Sequence, residues 1–342
     1  MKTDFYRFLI LVCFFNLTVS LSAQDIHFSQ YYLNPLNINP ALTGVFEEDM
    51  RFMGHYRSQW QSVPVSYLTF TGAFDTKLNI KAIREGYFAV GGTFNFDQAG
   101  DGDLSLAQLN LMASYTRALS DQIMMTGGFQ LGTGQRSFDP NQLTWANQYD
   151  GDIFNAGLSS GENFANTSVG FLDVGAGLNF FISNDDRKSF ANVGLGVNHV
   201  NRPRQEFNEQ SDARLPVRYT LYAYGNTNIN DRWALLLHAQ GQLQDVATEL
   251  VTGPGVHFRV RDEPGNQLAV RFLLSYRFSG LSDAIVPIAE LHYQSWRLGL
   301  SYDINISDYN RATNGQGGPE LALWYTITKV KPLKSFKACP IF

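Results

Sequence analysis

The sequence predicts an all-β protein: a transmembrane antiparallel β-barrel of about 14 strands, preceded by an irregular N-terminal plug segment. Three observations carry this. A basic and then apolar leader opens the chain, period-two alternation recurs from Arg51 to near the C-terminus, and the long connections fall on one parity.

Lys2 and Arg7 precede the apolar run 8–17, and the small residues SLSA follow at 20–23. That is the layout of a secretory signal peptide, expected to span 1–23. Cys13 follows Ile10-Leu11-Val12, without the small neighbour expected of a lipidated cysteine. Cleavage would leave Cys339 as the single thiol, so an internal disulfide cannot form. No later run reaches the 18 or so apolar residues of a membrane-spanning helix. The formal net charge of -5 gives a nucleic-acid partner no electrostatic support. Aromatic content of 14% and 30 glycines suit strands joined by turns.

The strand pattern repeats along the chain. In WALLLHAQGQLQ, Trp233, Leu235, Leu237, Ala239 and Leu243 share one face, with His238, Gln240, Gln242 and Gln244 opposite. In LAVRFLLSYRF, Leu268, Val270, Phe272, Leu274, Tyr276 and Phe278 oppose Arg271, Ser275 and Arg277. LGLSYDINI (298–306) and LNLMASYT (109–116) alternate likewise. The predicted strands are 51–60, 65–77, 86–96, 104–118, 122–136, 168–183, 189–200, 214–228, 232–244, 248–261, 266–279, 284–293, 296–306 and 319–330. Most meet the nine to eleven or so residues a tilted strand needs to cross a bilayer, and their number is even.

Connections 97–103, 137–167, 201–213 and 307–318 are long and share one parity with 61–64. Those of the other parity are short: 79–85, 120–121, 184–188, 229–231, 262–265 and 294–295. In an up-and-down barrel one parity is one rim, so this is the outer-membrane arrangement of short turns and long loops. A soluble β-sandwich also alternates but has no reason to sort its loops. Arg57, Arg271 and Arg277 fall on the inward parity, avoiding the roughly 2–4 kcal/mol cost of a cation facing lipid at mid-bilayer.

Before the first strand, FSQYYLNPLNINPALTG (28–44) is apolar without a helical or strand period. Pro35 and Pro40 each remove a donor and are expected to fix an extended path, with Asn34 and Asn39 bonding local backbone. Phe28, Tyr31 and Tyr32 need cover that a barrel mouth would supply. The segment 24–50 is therefore expected on the periplasmic side as a plug or partner contact, ahead of a barrel over 51–330 and a basic tail over 331–342. This stretch, YRSQW (56–60) and the terminal Cys339-Pro340-Ile341-Phe342 resemble the PorP/SprF family, outer-membrane proteins of the type IX secretion and gliding machinery of Bacteroidetes. The resemblance implies a non-enzymatic barrel supporting export or surface retention of a secreted cargo with a C-terminal sorting domain, in contact with periplasmic apparatus components and the lipid bilayer. A plugged transporter for hydrophobic or small solutes is the alternative.

Within the barrel, His55, Arg57, Gln59, Arg271 and Arg277 are the candidate lumen network, while Phe52, Tyr56 and Trp60 should face lipid, Trp60 at the interface. The loop holding Asp139, Asp150, Asp152 and Glu162, with no Lys or Arg over 137–167, is the largest candidate surface for an external partner. DQAGDGD (97–103) fails the spacing of a calcium loop, since Ala99 stands at a ligand position. No HExxH, GxSxG or paired-cysteine spacing is present, so neither a cofactor, a metal nor catalysis is expected.

Overall fold

The computed structural model describes residues 25–59, 67–78, 80, 85–100, 102–162, 166–184, 189–207, 213–263, 265–279, 283–307 and 315–328. The expected signal peptide, Trp60 and the tail with Cys339 and Phe342 lie outside them.

Fourteen antiparallel strands close into one barrel, each paired with its sequence neighbours and β1 with β14. They are β1 Met50–Gln59, β2 Tyr67–Leu78, β3 Gly86–Ala99, β4 Leu104–Ala118, β5 Ile123–Ser137, β6 Ser168–Ser183, β7 Phe190–Asn198, β8 Arg218–Asn228, β9 Trp233–Gln244, β10 Ala247–Glu263, β11 Asn266–Phe278, β12 Ala284–Tyr293, β13 Trp296–Asn305 and β14 Gln316–Ile327. Closure leaves no unpaired edge, which is what permits a sheet to stand in hydrocarbon.

The alternation sorts side chains as the sequence predicts. Leu111, Leu172, Leu237 and Phe272 are exposed on the outer face, while Thr71, Asn179, Gln240 and Glu290 are buried on the inner one. Phe52 and Tyr56 point outward; His55, Arg57 and Gln59 point inward. This inverts the order of a soluble protein and excludes the sandwich.

Boundaries moved by three residues or more at three strands, β3, which runs on to Ala99 rather than 96, β8 and β14. β8 starts at Arg218 rather than 214, because 213–217 belong to an irregular loop bridged between Arg204 and Arg214. β14 runs Gln316–Ile327 rather than 319–330, its register fixed by pairing Met50 with Ile327. At the long-loop rim the β9–β10 connection is an exception. It is a two-residue hairpin, with Asp245 in the left-handed region (φ 53°).

Candidate functional site

The lumen is occupied by the chain's own N-terminal segment, residues 25–44. Phe28, Tyr31, Tyr32, Leu33, Leu36, Ile38 and Leu42 are buried. Six of them pack with the inward-facing Met53, Met112, Tyr222, Val251, Leu273, Val286 and Trp324 in one apolar cluster. The expected extended path is corrected here. Tyr31–Leu33 and Pro40–Leu42 are single 3-10 turns, and Pro35–Ile38 is one α-helical turn, α1. Pro35 and Pro40 start these turns because a first helical position needs no donor and wants the φ that proline fixes. Asn39 caps the second 3-10 turn by accepting from the Ala41 N–H at 2.8 Å. The Asn34 side chain, buried, makes no hydrogen bond, contrary to the local backbone bonding expected of it.

The segment runs through the barrel from one rim to the other. Its Gly44 end lies at the short-turn rim, where the Gly44 N–H donates to Asp75 at 2.8 Å and Tyr87 Oη donates to the Gly44 carbonyl at 3.0 Å. Its Asp25 end lies at the long-loop rim. There the Asp25 carboxylate meets Arg218 and His199, each at 2.7 Å, and its N–H donates to Gln244 at 3.2 Å. His199 bridges Asp25 to Asp173, which it meets at 2.8 Å. Burial alone would raise the Asp25 carboxyl, but Arg218 and His199 hold it well below the usual carboxylate range. Burial opposes charge on His199, yet Asp25 and Asp173 push its pKa up to about 9.

Side chains from around the wall hold the segment between these ends. Glu320 accepts from the N–H groups of Ser29 (2.9 Å) and Gln30 (2.7 Å) and meets His55 at 2.9 Å. Asp303 accepts from Arg57 (2.6 Å), Arg277 (2.8 Å) and the Ser29 hydroxyl (2.9 Å), and Gln59 reaches it at 3.4 Å. Tyr32 donates to Glu290 at 2.8 Å, and Glu290 also faces Arg271 at 3.6 Å and His292 at 2.8 Å. Asn39 donates to the Leu178 and Leu195 carbonyls. The predicted lumen residues His55, Arg57, Gln59 and Arg277 thus converge on Asp303 and Glu320, while Arg271 joins a second group around Glu290.

The sequence reading missed these three acids, although each sits at inward parity. It also missed a slot of glycines. Gly128, Gly177 and Gly196 are register partners across β5, β6 and β7. A Cβ on them would collide with the Ala41 backbone, the Asn39 amide and the Ile38 carbonyl respectively. Glycine here admits the segment's backbone against the wall.

Outside the lumen, the loop 138–167 stands at the long-loop rim. Asp139 accepts from the N–H of Asn141 and the side chain of Gln142; Asp150 accepts from the N–H groups of Asp152 and Ile153. These bonds hold both carboxyls below the usual range. The two acids therefore shape the loop, while Asp152 and Glu162 are exposed beside Tyr149, Ile153, Phe154 and Leu158. Asp103 of the 97–103 loop bonds Gln98 and Gln142. Among the described residues no group of three or more His, Cys, Asp or Glu is arranged to hold a metal.

A family model described as "Type IX secretion system membrane protein PorP/SprF" matches residues 20–318. No curated protein matches the chain. Among solved structures, the toluene transporter TbuX of Ralstonia pickettii is 12% identical with a TM-score of 0.48, covering 85% of this chain and 93% of its own. The CymD monoaromatic hydrocarbon channel is 9% identical with a TM-score of 0.50, covering 86% and 93%. At such identity the likeness to CymD is one of fold alone. The matched span takes in the lumen segment and thirteen of the strands whole, and on it the chain belongs to the PorP/SprF family of type IX secretion system membrane proteins.

Proposed function

We propose that this barrel sits in the outer membrane, exported by a cleaved signal peptide, and supports export or surface attachment of a secreted partner bearing a C-terminal sorting domain. The observation that carries this is the division of labour between the two regions above. The lumen is filled by residues 25–44, which are fixed by the ion pairs of Asp25 with Arg218 and His199, while an acidic and aromatic loop stands exposed at one rim. A filled lumen argues for a plug, and so for a docking platform over a solute path. Loop 138–167 is the external contact surface. The tail 331–342 contacts periplasmic components of the apparatus. The role is non-catalytic.

Affinity purification from native membranes tests the proposal. The full-length protein should recover a secreted protein and apparatus components, and deletion of 146–160 should lose the secreted protein with the barrel intact. Recovery of neither, together with solute uptake by reconstituted protein, would instead make it a transporter.

A further inference from the structure

A cavity of about 20 Å³ lies at the long-loop rim, beside the Asp25 end of the lumen segment. Its polar lining comes from the segment (Asp25 and His27), from β9 (Gln242 and Gln244) and from β10 (Glu249). Gln242 and Glu249 are register partners. Two of the five are committed elsewhere: Asp25 to Arg218 and His199, and Gln244 to the Asp25 N–H. The other three are not. Glu249 is 8% exposed, and its Oε1 is buried without a hydrogen bond. The Gln242 side chain makes none among the described residues. His27 Nδ1 lies 3.4 Å from the Asp25 carbonyl oxygen. A carbonyl only accepts, so in the neutral ring that nitrogen carries the proton and Nε2 presents a lone pair. Nε2 faces Glu249 Oε2 at 3.8 Å. Two acceptors thus face each other at the cavity.

The surrounding charges do not balance Glu249. Arg277 stands within Coulomb reach of Glu249, Asp303 and Glu320. Arg57 meets Asp303 at 2.6 Å and Glu320 at 3.8 Å. Three carboxylates against two guanidiniums leave one negative charge uncompensated when His27 and His55 are neutral. A buried carboxylate without a counter-charge is costly. A water molecule would fit the volume. It has two protons to give to three acceptors, and it leaves the charge as it was. A metal cation takes lone pairs from all three and supplies the missing charge. An imidazole nitrogen beside a carboxylate suits a zinc-like ion, whereas calcium and magnesium take oxygen ligands. Ligand atoms of one zinc ion stand roughly 3–3.5 Å apart, so the His27–Glu249 gap need close by only a few tenths of an ångström.

We propose that His27 and Glu249, with the Gln242 amide oxygen, form a binding site for a zinc-like divalent cation that ties the lumen segment to β10 at the long-loop rim. The test is equilibrium titration of the full-length protein with Zn²⁺ against a chromogenic chelator, in a Cys339→Ser background that removes the tail thiol. The parent should bind a single Zn²⁺. His27→Ala and Glu249→Gln should each weaken binding on the order of tenfold or more, with the heat-modifiable folded band unchanged on gels. Gln242→Ala removes no charge and should weaken it less, which keeps the test decisive where Glu249→Gln fails to fold. His257→Ala is the control. It removes a buried imidazole from the same strand and should bind as the parent does. No saturable binding by the parent, or equal binding by all the variants, overturns the proposal. Calcium or magnesium held there in preference to zinc would overturn the assignment of the ion. Loss of the ion leaves the docking role of the external loop untouched, so the two proposals fail separately.

Discussion

Replacing Glu320 with alanine tests whether the lumen segment is held by the wall or merely lies within it. The carboxylate accepts three bonds: from the N–H groups of Ser29 and Gln30, and from His55. It also lies 3.8 Å from Arg57. A hydrogen bond to a charged group contributes about 1.5–3 kcal/mol, so the two bonds to the segment, from Ser29 and Gln30, together carry roughly 3 kcal/mol or more. The Glu320 side chain is not part of the ladder that closes β14 on β1. The loss should therefore fall on segment docking and spare barrel closure. At about 1.4 kcal/mol per decade, segment opening should become on the order of a hundredfold more frequent. The reporter is Asn34→Cys in a Cys339→Ser background. The Asn34 side chain is buried and makes no hydrogen bond, so the probe removes none. Maleimide labelling of reconstituted protein should accelerate by about that factor in Glu320→Ala, and less in Glu320→Gln, which keeps one acceptor. An unchanged labelling rate, with the folded band preserved, would refute the account of how the segment is held.

Three further outcomes follow from the same geometry. The Asp25–His199 contact should weaken with alkali: a raised histidine pKa contributes fully below about pH 6.5 and is lost as pH climbs through about 9, a change of about 3 kcal/mol. Asp25, depressed, contributes above about pH 4 and is lost on acidification. Asn34→Cys labelling normalised to the thiolate fraction should therefore be slowest between about pH 4 and 6.5, and a flat profile would exclude this anchor. Asp303→Ala strands two buried guanidiniums, Arg57 and Arg277, and should destabilise the barrel by about 3–5 kcal/mol, read as a lower temperature for loss of the heat-modifiable band. Leu237→Arg, on the outer face in the middle of β9, should cost about 2–4 kcal/mol in reconstitution; in urea titrations into vesicles, a wild-type midpoint would contradict a lipid-facing Leu237.

Much of this architecture is legible in the sequence because barrel strands obey a local rule. Side chains alternate with period two, so the inward parity of Arg57 or Arg277 follows once a strand is recognised. Loop parity follows from counting strands, which is also local. The Asn-Pro segment reads as needing cover, since seven large apolar residues without a period cannot stay in water. The turns begun by Pro35 and Pro40 did not read so clearly. The same residue can start a helical turn or extend a chain, and burial among Met53, Leu273 and Trp324 selects the turn.

What the sequence alone determined, then, is the closed fourteen-stranded sheet, its inverted polarity and the presence of an apolar segment before it. Only the tertiary structure decided that this segment runs from the long-loop rim to the short-turn rim. Only it brought Asp25 to His199, 174 residues away, and Ser29 to Glu320, 291 away. The glycine row Gly128–Gly177–Gly196 likewise exists only in register. The physical reason is closure: ring formation converts alternation along each strand into rows across many strands, and those rows build the sites.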